Sequence, residues 1–336
     1  MFSTTRYLVA AGIAATAALT SSAALACASC GCSLNGDWGT QGLATQAGWS
    51  FDARLDYLNQ NQLRLGTGRI SPTAAAAATN TSTGQLAEVE QFTRSKTLNT
   101  TIDYTNGASW GVSVSAPFIN RGHATLGTGS DGTTFDPANG AYVSQTSRMG
   151  DIKVLGRYFG LAAAKNIGIQ FGLKLATGKT NQMAQDGTTA VDPGLQLGTG
   201  TTDLMLGAYT FDNLSQNWSY FGQAMVQAAL NQSRMSNLPY RPGNSLNLNA
   251  GLRYEGFESV RPTLQINTKI TQRDSGDAAD TYATGGKLVY FTPGAVIPVS
   301  SAVAIHTNLQ VPIYQNVNGV QLAPRYIFSA GVRVAF

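Results

Sequence analysis

The twelve carboxy-terminal residues, RYIFSAGVRVAF (Arg325 to Phe336), constrain this chain more than any other stretch. Tyr326, Phe328, Ala330, Val332, Val334 and Phe336 alternate with Arg325, Ser329, Gly331 and Arg333, and only Ile327 and Ala335 break the polar set. A period of two places the two sets on opposite faces of a strand, one apolar and one polar. A strand of a soluble antiparallel sheet can look the same, so the remaining chain must decide what this strand belongs to.

The pattern recurs from residue 48 onward. Trp49, Phe51, Ala53, Leu55 and Tyr57 face Ser50, Asp52, Arg54 and Asp56. Leu98, Ile102 and Tyr104 form the next apolar row, and Trp110, Val112, Val114, Ala116 and Phe118 the one after. Further segments fall at 152–158, 167–175, 201–211, 218–230, 246–254, 264–270, 286–297 and 302–314, which makes twelve with the last. Each is near the 9–11 residues, roughly, that a tilted strand needs to cross a bilayer. Connections alternate between tight turns, such as Asn106-Gly107 and Ser300-Ser301, and long polar stretches, such as 66–87 and the one ending near Thr146. Asn-Gly is a strong hairpin signal. The stretches 66–87 and 315–324 read as loops.

An even set of alternating strands with short and long connections predicts a transmembrane antiparallel up-and-down β-barrel of bacterial outer-membrane type, with about 12 strands and both termini in the periplasm. Closure satisfies every backbone donor and acceptor where neither water nor a neighbouring edge can. Composition agrees. Charged residues are 12% of the chain, about half the usual share, and the mean hydropathy of -0.07 is too polar for a bundle of membrane helices. A net charge of +4, scattered along the chain, gives no nucleic-acid-binding surface.

Residues 1–26 read as a cleaved secretory signal, with Arg6, an apolar run and Ala24-Leu25-Ala26 as the cleavage site. A Cys-rich periplasmic segment is expected over 27–47 and the barrel over 48–336. Cys27, Cys30 and Cys32 have three readings: a soft-metal site for copper or zinc, a disulfide with a spare thiol that couples to a periplasmic redox or metal-handling protein, or a structural disulfide or acylated Cys27. The ending on Phe336 is similar to the assembly signal of outer-membrane barrels. That similarity implies the barrel-assembly machinery and outer-membrane lipid as partners.

On the inward faces, basic groups outnumber acidic ones. Arg54, Asp103, Lys153, Arg157, Lys174, Arg253, Lys269, His306 and Arg333 are the candidate pore-lining residues, and Arg273, Lys287 and Arg325 also take inward parity. Rings of Arg and Lys favour anions, while ion pairs filling a narrow barrel would give the same composition. No catalytic constellation is expected: His306 faces inward, away from lipid, and His123 falls in a loop. Asp274, Asp277 and Asp280 read as a solvated loop cluster.

GDIKVLGRY (Gly150 to Tyr158), GLKLATGK (Gly172 to Lys179) and DPGLQLGTGTTDLMLGAY (Asp192 to Tyr209) resemble the β-barrel transporter family described as phenol-degradation (MetA-pathway) outer-membrane proteins. The resemblance covers about the middle third and implies a transporter-like barrel. Two functions are therefore expected. One is an outer-membrane channel for small anionic, polar or aromatic solutes. The other is a non-conducting barrel that binds a partner through its Cys-rich segment.

Overall fold

The computed structural model describes residues 39–43, 46–81, 84, 87–126 and 143–336. The expected signal and Cys27, Cys30 and Cys32 lie outside them. The strands are β1 (Gly48–Gly66), β2 (Gly68–Arg69), β3 (Val89–Thr105), β4 (Trp110–Leu126), β5 (Val143–Met149), β6 (Lys153–Tyr158), β7 (Ile167–Lys174) and β8 (Asp203–Asn213). They continue as β9 (Trp218–Ala229), β10 (Ser233–Met235), β11 (Leu238–Tyr240), β12 (Ser245–Tyr254), β13 (Arg261–Thr271), β14 (Gly286–Pro298) and β15 (Val303–Ala335). One short helix, α1 (Pro72–Ala77), lies between β2 and β3.

Eleven of these elements close a ring in the order β1-β3-β4-β6-β7-β8-β9-β12-β13-β14-β15, and β15 returns to β1. All the pairings are antiparallel, with β2 and β5 attached beside β1 and β4. An odd ring of antiparallel neighbours cannot close unless one member reverses direction. β15 does so: residues 304–317 pair with β14 and residues 317–335 with β1. The reversal sits at Asn318-Gly319, where Gly319 has φ +61, the left-handed conformation that an Asn-Gly hairpin turn uses. Thr307 Oγ1 donates to Ser329 O at 3.1 Å and Gln315 Nε2 to Pro324 O at 2.7 Å, so the two halves lie side by side. The chain thus crosses twelve times, in an antiparallel up-and-down barrel of outer-membrane type.

Parity behaves as the sequence predicts over most of the wall. Trp49, Phe51, Leu55, Ile102, Trp110, Val114, Phe171, Leu206, Leu264 and Val332 are exposed on the outside, while Ser50, Asp52, Arg54, Ser113, Gln170, Asn249 and Gln265 are buried inside. Near the end that holds Gly48 and Phe336, Tyr104 stands 4.9 Å from Trp49 and 5.5 Å from Trp110, and Tyr254 stands 5.0 Å from Trp218. Tyr57 and Tyr326 meet at 6.0 Å higher on the wall. Trp49 and Tyr57 are eight residues apart on β1, about 27 Å of strand and about 20 Å of height at a tilt of about 40°. That matches an apolar band between two aromatic girdles.

Several loop expectations are corrected. The stretch 66–87 contains α1, capped by Ser71, whose hydroxyl accepts from Ala74 N at 3.1 Å. Ala75 and Ala76 are buried against Val89, Tyr282, Ala283 and Val320, so this part of the loop is packed. Residues 315–324 form the β15 hairpin rather than an external loop, because the Asn-Gly turn lets the strands run on. β4 extends to Leu126 and β5 begins at Val143, within the stretch expected to be polar loop. His123 is therefore a buried strand residue. Of the expected solvated cluster Asp277 is exposed, but Asp274 is buried and accepts from Tyr240 Oη at 2.9 Å and Gly243 N at 2.7 Å, and Asp280 is half-buried and caps Tyr282 N and Ala283 N at 2.8 Å. Burial pushes both carboxyls above their ordinary values.

Candidate functional site

The lumen is built from the inward rows of the strands, and its charges are mostly paired across strands. Arg157 on β6 places Nη1 2.6 Å and Nη2 3.0 Å from the two oxygens of Asp103 on β3. This two-point contact fits the planar guanidinium fork. Arg54 sits 3.0 Å from Asp56 on its own strand, and His306 Nε2 lies 2.9 Å from Asp52. Arg253 contacts Glu255 at 2.5 Å.

The three family-like stretches meet at one buried knot. Lys174 Nζ lies 2.8 Å from Asp151 and 3.3 Å from Asp203, donates to Thr201 O at 3.0 Å, and donates to Thr199 Oγ1. Asp151 also accepts from Gly178 N at 2.9 Å and Thr199 N at 3.1 Å. Asp203 accepts from Thr201 Oγ1 and Gln227 Nε2, each at 2.6 Å. All three ammonium hydrogens thus have acceptors and both carboxylates have several donors, which is what a buried charge requires. A Cβ on Gly198 would stand 2.6 Å from the Asp151 oxygen, so the turn closes only with glycine.

Between these pairs lies a cavity of about 260 Å³ lined by Arg54, Asn99, Thr101, Asp103, Lys153, Gln170, Gln223, Asn249 and Arg333, with Met205 and Met225 on one side. Lys153 is half-buried and, among the described residues, has no carboxylate within ion-pairing distance. Of the candidate residues, Arg54, Asp103, Lys153 and Arg333 line this cavity, and Arg157 reaches it through Asp103. Lys174 is consumed by the knot, and Arg253 and His306 by their own ion pairs. Lys269 stays on the inward face of β13, half-buried. Arg273 is instead a loop residue that donates to the carbonyls of Thr281 and Tyr282. Lys287 and Arg325 are exposed. On β14 the inward residues are Leu288 and Tyr290, which pack with Val317 and Ile327. Residues 288–291 are apolar on both faces, so alternation could not fix the parity of that stretch.

At the end of the barrel that holds Gly48 and Phe336, residues 39–43 lie against inward side chains of the wall. Gly39 packs against the Arg157 guanidinium and Gly42 against the Phe211 ring. Arg253 Nη1 donates to Gln41 O at 3.2 Å and Arg333 Nη1 to Leu43 O at 3.4 Å. These side chains come from β6, β8, β12 and β15, four separate parts of the ring. A hollow of about 520 Å³ opens beside Gln41 and Gly42 at that end.

Sequence reasoning missed an amide ladder. Gln223 donates to Gln170, Asn249 to Gln223 at 3.1 Å, Asn267 to Asn249 at 2.8 Å, and Thr292 to Asn267 at 2.6 Å. The inward parity of these residues is the signal the sequence carries for it.

No protein-family profile matches the chain, and no curated protein does. Among solved structures, the COG4313 outer membrane channel from Pseudomonas putida F1 superposes with a TM-score of 0.59 at 13% identity, covering 87% of this chain and 97% of that one. The translocator domain of the autotransporter NalP from Neisseria meningitidis gives 0.47 at 10% identity, over 87% of this chain and 89% of that one. The P. putida toluene transporter TodX gives 0.45 at 10% identity, over 90% and 93%. At these identities the chain is similar to outer-membrane barrels in fold.

Proposed function

We propose that this chain is a bacterial outer-membrane channel that passes small anionic, polar or aromatic solutes by passive or facilitated diffusion. Both termini and the short turns would lie on the periplasmic side, as the alternation of connection lengths favours. The observation that carries this reading is the polar cavity in the lumen, into which Lys153 presents a cation with no ion-pair partner among the described residues. Its volume of about 260 Å³ exceeds the roughly 150 Å³ that suffices for benzene. In a low-dielectric wall an uncompensated ammonium attracts anions strongly. The reversal potential across a planar bilayer in a salt gradient tests the reading. The wild-type chain is expected to favour anions and Lys153→Glu to lose or invert that preference. Cation selectivity in the wild type, or an unchanged ratio in the variant, would sink it.

A second reading has its own support. Residues 39–43 are held inside the wall by Arg157, Arg253 and Arg333, which suits a barrel that stays shut and presents its amino-terminal segment to a periplasmic partner. A folded barrel that conducts only when those residues are removed would favour it.

A further inference from the structure

The buried group at the loop end of β3 and β4 serves neither the cavity nor the knot. His123 on β4 is fully buried, and its Nδ1 lies 2.8 Å from Thr93 Oγ1 on β3. One ligand atom each from Glu88, His123 and Asp192 lies within 4.8 Å of the other two. Glu90, 2% exposed, accepts from Leu322 N at 2.9 Å through Oε2. Its Oε1 is buried, has no hydrogen-bond partner among the described residues, and lies 3.9 Å from His123 Nδ1. Three carboxyl groups thus converge on one imidazole. Arg121, the nearby cation, is directed elsewhere, toward the carbonyls of Gly194 and Gln196 at 3.4 and 3.3 Å.

We propose that Glu88, His123 and Asp192 bind a divalent transition-metal ion of the zinc class, with Glu90 as a further ligand or as the acceptor that orients the site. One imidazole with carboxylates is a donor set for zinc and its first-row neighbours. It lacks the thiolates that copper(I) prefers and departs from the all-oxygen shell of calcium or magnesium. Ligand atoms about 2.0–2.2 Å from a metal stand about 3–3.5 Å apart, so the present group, within 4.8 Å, has to contract on binding. The ligands come from three places: the chain entering β3, the wall strand β4, and the connection 175–202, where Asp192 precedes the 3-10 turn Pro193–Leu195. A bound ion would therefore fasten that connection to the wall, whether or not the barrel conducts.

The test is calorimetric titration of Zn²⁺ into the refolded full chain after chelator dialysis, repeated with Co²⁺ for its absorption spectrum. The wild type is expected to bind one saturating equivalent and to protect residues 175–202 from protease when loaded. Asp192→Asn and His123→Gln preserve shape and are expected to bind at least about tenfold more weakly and to lose the protection. A chain with Cys27, Cys30 and Cys32 all changed to Ser should bind as the wild type does. Three results would each overturn the assignment: no saturable binding, equal affinity in both ligand variants, or loss of binding in the cysteine variant alone. Because Glu90→Gln keeps the Leu322 contact within reach, it gives a fourth variant if His123→Gln fails to fold, with weaker zinc binding expected.

Discussion

Replacing Lys174 by Met tests the buried knot that unites the three family-like stretches. Lys174, Asp151 and Asp203 have side chains 5%, 8% and 3% exposed, so water cannot take over the lost contacts. Asp151 would keep its bonds from Gly178 and Thr199, and Asp203 its bonds from Thr201 and Gln227, but two carboxylates would face each other with their shared cation gone. Removing one partner of a buried ion pair costs about 3–5 kcal/mol, whereas replacing the whole set by apolar or neutral groups of similar shape is near neutral. Lys174→Met is therefore expected to lose about 3–5 kcal/mol in urea unfolding from detergent or liposomes. The triple variant Asp151→Asn, Lys174→Met, Asp203→Asn should recover most of that loss. The Thr199 and Gly178 contacts should also loosen, so the connection 175–202 should become more sensitive to protease in the single variant. A loss below about 1 kcal/mol, typical of an exposed pair, would refute the reasoning. So would a triple variant as unstable as the single one.

Further outcomes follow from other contacts. Gly319→Ala forces an alanine into φ +61 with its Cβ 2.6 Å from Tyr282 O, and it should cost about 1–2 kcal/mol in the same unfolding assay. Trp110→Ala removes the ring beside Tyr104 and should lower stability by about 1 kcal/mol beyond its lost burial, with slower insertion into liposomes. Glu255 feels burial, which raises its pKa, but the hydrogen bond and charge of Arg253, with help from Ser219 and Arg261, hold it below the usual carboxyl value. A depressed value means that its contribution is present above the ordinary pKa of about 4.3 and is lost as pH falls through the lower folded value. The thermal midpoint should thus hold steady down to about pH 4 and then fall, and Glu255→Gln should remove that acid-dependent part.

The wall was legible because outside and inside demand opposite chemistry, and a period of two records that demand residue by residue. Trp49 through Tyr57 and Phe328 through Phe336 show it plainly. The pattern failed where both faces are apolar, as at Leu288 to Phe291, and Lys287 was placed on the wrong side there. Loop structure was hidden too. Nothing periodic marks α1, whose stability comes from Ser71 and from packing on Tyr282 and Val320, residues far along the chain. The inward charges could be named from parity alone, but not their pairings, because Arg157 with Asp103 or His306 with Asp52 depends on which strands become neighbours. The same holds for His123, read as a loop residue until β4 proved to run on to Leu126.

Single-channel recording most directly tests the central claim that the lumen is a path for small solutes past Lys153. The refolded chain, with and without residues 39–43, would be compared in symmetric and graded salt. The account predicts a steady, anion-preferring conductance in the intact chain and a larger one after removal of the segment, with the preference retained. A heat-modifiable, correctly folded barrel that conducts in neither form, or that prefers cations in both, would contradict it.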